Sequence, residues 1–136
     1  MARRTPVRPT TRRPRTTAPL AWCAADVVLV LAFAASGRRT HEHGVTVVGV
    51  LETAWPFLLA YALTAVVVRA WRSPASPLPT GVVLWLGTVA GGLALRAASG
   101  AGVALSFQFV TLLVLGVFLV VPRAVARMIR SRRPVA

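Results

Sequence analysis

The chain reads as an all-α four-helix transmembrane bundle with both termini in the cytoplasm, and three observations predict it. Its 136 residues are 56% hydrophobic and only 14% charged, with a mean hydropathy of +0.68, far from soluble composition. The apolar residues gather into four runs, each near the ~20 helical residues that cross a hydrocarbon core. All basic charge is arginine, and thirteen of the sixteen arginines fall on one side of the four-run pattern.

Taken in order, residues 1–19 hold six arginines, four prolines and five threonines with almost nothing to bury. Such a tail cannot offset the entropy of ordering, so it is expected to be disordered. The first apolar run, 20–36, is the shortest; 45–68, 81–98 and 103–121 follow. The third counts as a span only if Gly91, Gly92 and Arg96 are tolerated toward its outer end. Pro74, Pro77 and Pro79 punctuate the link 69–80, and the links 37–44 and 100–102 are shorter still. Short links force antiparallel neighbours. Six arginines in the first tail, Arg69 and Arg72 in the middle link and five from Arg123 to Arg133 then share one side, against Arg38, Arg39 and Arg96 on the other. The positive-inside rule places the richer side in the cytoplasm of a cell held by its plasma or inner membrane, with Trp22 and Trp71 as interfacial anchors. The expected division is a disordered tail 1–19, a four-span domain 20–122, and a basic amphipathic cytoplasmic tail 123–136 beginning after Pro122. A cleaved leader would share the basic-then-apolar outline of the N-terminal region, but Asp26 inside the apolar run argues against one. A faint repeat at an offset of 63, Trp22 on Trp85 and Ala-Ala-Ser-Gly on Ala-Ala-Ser-Gly, rests on cheap matches.

Ionisable and strongly polar groups inside a bilayer are expensive, so each is a candidate for function or for structural pairing. Asp26 lies six residues into the first span, roughly 9 Å from its start at ~1.5 Å per residue, with no cation expected at its own depth. Protonation, a hydrogen bond to a neighbouring helix, or tail arginines snorkelling inward would each accommodate it. Glu52 enters the second span from the opposite side, about 10 Å deep, and Arg96 in the third span lies only a few ångströms shallower. Pro56 has no N–H to donate to the carbonyl of Glu52, so the second span should bend there and leave a polar group at depth. Gln108 and Ser106 reach similar depth from the fourth span, and Arg38 and His41 lie on the first outer link. The expectation is a polar cluster in the outer half of the bundle: Glu52, Arg96, Gln108, Arg38 and His41, with Asp26 separate. A structural Glu52–Arg96 ion pair and a binding or conduction role are both open.

Other features point more weakly. His41, Glu42 and His43 are metal-capable residue types, but a single outer link without a second ligand cluster reads more simply as a solvated turn, and no metal or cofactor is expected. No Ser, His and Asp set, carboxylate pair or phosphate-cradling glycine loop can be assembled, which argues against an enzyme. Cys23 reads as a packing residue. Gly87 and Gly91 make a small-residue face on the third span, for packing within the chain or, alternatively, in a homo-oligomer. Tethered beside a membrane, the basic tails meet anionic lipid head groups before any nucleic acid.

At Gly37-Arg38-Arg39-Thr40-His41, Thr53-Ala54-Trp55-Pro56-Phe57, Trp85, Thr88 and Arg96 the chain resembles a prokaryotic family of small four-span membrane proteins classed as a domain of unknown function. The resemblance runs over about 21–123 and leaves the Arg/Pro/Thr tail outside it. It implies the same four-span topology and no known activity, cofactor or substrate. Two functions from different classes remain: a transport or channel-like component using the outer polar cluster, and a non-enzymatic membrane scaffold or interaction protein with lipid-binding basic tails.

Overall fold

The computed structural model describes residues 17–38 and 46–132, and among these all regular structure is helical. Four long helices, α1 (Thr17–Arg38), α2 (Val47–Val67), α3 (Val82–Ala98) and α4 (Leu105–Ser131), are each apolar enough to cross a membrane, α3 with the preceding turn from Pro77. Each packs against its neighbours in chain order, and α1 closes the ring on α4. Large apolar side chains on the outside, such as Leu59, Leu63, Leu86, Phe109, Leu113 and Val117, are exposed. In water that surface would aggregate; in a bilayer it is the solvated face. The chain is a multi-pass membrane protein.

Local chemistry sets the helix ends. Thr46 accepts a hydrogen bond from the Gly49 N–H at 3.2 Å and caps the start of α2. At the end of α3, Gly100 takes φ +77°, its N–H bonds Ala97 O, and the Ala101 N–H reaches back to Arg96 O. That is the Schellman arrangement, which a side chain at residue 100 would strain. Pro56 lies inside α2 without interrupting it, so the bend expected there is not a break.

The core forms where small residues let helices close. A Cβ on Gly92 would collide with the Phe57 ring, and one on Gly87 or Gly91 with Thr64 or Ala60. The small-residue face of α3 therefore packs on α2 of the same chain, the first of the two readings above. Phe57 in turn meets Phe33 edge to face at 5.5 Å, with Phe107 completing an aromatic centre beside Val30, Val89 and Leu115.

The apolar run closes at Pro122 but the helix does not: α4 continues through the proline into the basic segment as one helix of 27 residues. The buried positions Thr111, Leu115, Leu119 and Arg123 recur every fourth residue, so packing against α1 and α3 carries the helix past the proline.

Candidate functional site

Two helix faces converge at the end of the bundle where α1 begins, α2 passes into α3 and α4 finishes. On α1, Asp26 shares the buried stripe of Val30 and Phe33; on α4, Arg123 is the next member of the stripe of Leu115 and Leu119. Asp26 and Arg123 are each 1% exposed, and they form a two-pronged ion pair: Nη1 donates to Oδ1 at 2.9 Å and Nη2 to Oδ2 at 2.5 Å. The planar guanidinium fork matches the carboxylate in this geometry. Tyr61 on α2 donates its hydroxyl to Asp26 Oδ2 at 2.7 Å.

Arg123 makes further contacts beyond the pair, so that four of its five N–H donors are engaged. Its Nε donates to Pro74 O at 2.9 Å in the α2–α3 link, Nη1 donates to Leu119 O at 2.6 Å, and its guanidinium carbon lies 5.0 Å from the Trp22 ring centroid. One side chain thus ties α4 to α1 and to the link between α2 and α3. The link is shaped for this: Gly81 N–H bonds Ser76 O, the Ser73 and Thr80 hydroxyls share a hydrogen bond, and a Cβ on Gly81 would stand 2.9 Å from Arg123 Cδ. Only a residue without a side chain lets the Arg123 stem pass.

Asp26 therefore does have a cation at its own depth, contrary to the sequence expectation. By sequence Arg123 falls in the tail, because Pro122 precedes it; the continued helix delivers it into the bundle instead. The every-fourth-residue stripe through Thr111, Leu115 and Leu119 is the sequence signal that finds it. Tyr61 carried no signal of its own.

Glu52, Arg96 and Gln108, the members of the outer cluster whose side chains are described, are not brought together. Glu52 is exposed on α2 and forms no ion pair with Arg96; Asp26–Arg123 is the one salt bridge among the described residues. Arg96 donates from Nε to Gly102 O at 3.0 Å and lies 4.8 Å from the Phe107 ring centroid. It borders a cavity of about 620 Å³ with Ser36, Gly102, Ser106 and Phe107, and neither Glu52 nor Gln108 lines it. Gln108 Nε2 donates to Val103 O at 2.9 Å, holding the start of α4. Arg38 ends α1, and its side chain, with all of His41, Glu42 and His43, lies outside the described residues.

Two cavities flank the buried pair. One, about 270 Å³ and mostly apolar, is lined by Trp22, Cys23, Asp26, Tyr61, Trp71 and Arg123 among others. The second, about 480 Å³, opens between the start of α1, the α2–α3 link and the last turns of α4, with Arg72, Arg127 and Arg130 on its walls. Trp22 and Pro74 border both.

Over residues 23–126 the chain matches a family model described as a protein of unknown function (DUF3054), and it belongs to that family. No curated protein and no solved structure matches it. The matched region contains Asp26, Tyr61, Pro74 and Arg123, so the whole charge network lies inside the family domain.

Proposed function

We propose that this family member is a non-enzymatic scaffold of the plasma or inner membrane, oriented with both termini in the cytoplasm and engaging anionic lipids through its basic end. The observation that carries the reading is the closed state of its intramembrane charge. Asp26 and Arg123 are buried against each other, Tyr61 fills a further acceptor site, and Pro74 O takes the Arg123 Nε proton. Asp26 borders a mostly apolar cavity, but its charge is already matched by Arg123 within the bundle, which leaves no net charge there to draw a passing cation. The transport reading needed Glu52, Arg96 and Gln108 to share one polar cavity, and these residues stand apart. The arginine bias supports the orientation through the positive-inside rule.

The test is flux. Purified protein in proteoliposomes is given proton, potassium and small-solute gradients, with the wild type expected to match protein-free vesicles. A gradient-driven flux abolished by Asp26→Asn in folded protein would overturn the scaffold reading. Reporter fusions at both ends check orientation, with a periplasmic or extracellular terminus as the contrary result.

A further inference from the structure

The structure assigns the 480 Å³ cavity at the basic end as a binding site for a phosphate-bearing anion, held by Arg72, Arg127 and Arg130 beside Trp22. This rests on the proposed lipid-engaging function only for which membrane leaflet would supply a lipid form of the ligand.

The stripe of α4 that faces the bundle changes character as it leaves it. Thr111, Leu115 and Leu119 are buried, Arg123 is buried and paired, and the same face continues at Arg127 and Arg130 into the cavity wall. These last two arginines therefore face the α2–α3 link and the start of α1. Arg72 meets them from the opposite wall, carried on the 3₁₀ turn Ala70–Arg72, whose Arg72 N–H bonds Arg69 O.

Three guanidinium groups around one concavity repel each other, and no carboxylate of the described residues stands among them. Arg72, Arg127 and Arg130 make no ion pair and no side-chain hydrogen bond among the described residues. Asp26 and Glu52 are the only described carboxylate side chains; the first is bound to Arg123 and the second is exposed on α2 and absent from the walls of this cavity. The site thus presents guanidinium donors in excess of any acceptor from the described protein, open to solvent and to a ligand. A phosphate supplies oxygens that guanidinium forks match in pairs. Ser73 and Ser76 on the wall carry hydroxyl groups, although Ser76 already donates to Leu78 O. Trp22 and Pro77 give the cavity apolar walls, suited to the glycerol portion of a lipid head group.

A lipid head group and a free phosphate share this chemistry, and the experiment separates them. Full-length protein in a zwitterionic detergent is titrated with dioctanoyl phosphatidylglycerol, dioctanoyl phosphatidylcholine and inorganic phosphate, reading intrinsic tryptophan fluorescence and calorimetric heat. Saturable binding of the phosphatidylglycerol and not the phosphatidylcholine is expected. It should weaken at least about tenfold in Arg127→Gln/Arg130→Gln, which removes two charge-assisted contacts, and again in Arg72→Gln. Arg132→Gln, at the same end but outside the cavity wall, should bind as wild type. Saturable binding of inorganic phosphate with the same arginine dependence, displacing the lipid, would identify the phosphate itself as the ligand and equally support the site. Equal weakening by Arg132→Gln would mean diffuse charge and overturn it, as would no saturable binding of either probe. The scaffold reading fails separately, on flux, whatever this titration shows.

Discussion

Replacing Arg123 with Met tests whether the buried ion pair organises the bundle. The variant keeps an unbranched apolar stem in the channel past Gly81 while deleting the guanidinium. Asp26 would retain only the Tyr61 hydroxyl, and Pro74 O would lose its donor, so α1 and the α2–α3 link would no longer be tied to α4. Breaking a buried pair on one side costs about 3–5 kcal/mol, whereas removing both charges together is often neutral or favourable. Asp26→Leu alone should cost somewhat less than Arg123→Met, because Arg123 keeps Pro74 O, Leu119 O and the Trp22 face. Tyr61→Phe, which removes one hydrogen bond within a membrane bundle, should cost about 1 kcal/mol. The double variant Asp26→Leu/Arg123→Met should then recover most of the loss, giving a coupling of several kcal/mol between contacting residues. Equilibrium unfolding in bicelles by titration with SDS measures all four. Additive single losses in the double variant, or an Arg123→Met no less stable than Arg132→Met, would refute the reasoning.

Thr88 Oγ1 is fully buried without a hydrogen-bond partner among the described residues, so Thr88→Val, nearly the same shape, should raise stability by about 1 kcal/mol or more; a loss in the same SDS titration would mean that the hydroxyl has a partner in the membrane. Glu52→Gln should change stability by no more than about 0.5 kcal/mol, because the side chain is exposed on α2 and has no partner among the described residues. A loss approaching that of Arg123→Met would restore the outer cluster.

The bundle was legible because lipid imposes a simple rule. Spans of sufficient length, short links and the small face at Gly87 and Gly91 follow from apolar periodicity and backbone approach, and the helices fall close to where those signals put them. The site was legible by half. Asp26 announces itself as a charge inside an apolar run, but its partner stands 97 positions later, and nothing local couples them. Pro122 concealed it, since a proline closing an apolar run marks the edge of the span and hands Arg123 to an interfacial amphipathic tail, while tertiary packing carries α4 across it and turns Arg123 inward. Glu52 and Arg96 misled for the converse reason. Equal depth along two spans says nothing about which way each side chain points, and Arg96 found an acceptor in Gly102 O at its own helix end.

The α4 stripe joins these findings. Along one helix face the environment passes from core to boundary to open cavity, and the chemistry follows: Leu119 buried, Arg123 buried and neutralised, Arg127 and Arg130 exposed without a counter-charge among the described residues. Neutralisation stops where enclosure stops, because a carboxylate is needed only where water is absent to stabilise the cation. The two roles of arginine at this end are therefore separable. Arg123 fixes the walls of the cavity from inside by holding Pro74 and lying beside Trp22, both of which border it, and Arg127 and Arg130 furnish its charge. Loss of Arg123 should deform the anion site without removing a single charge from its walls, whereas loss of Arg127 and Arg130 should empty the site of charge and leave the fold intact.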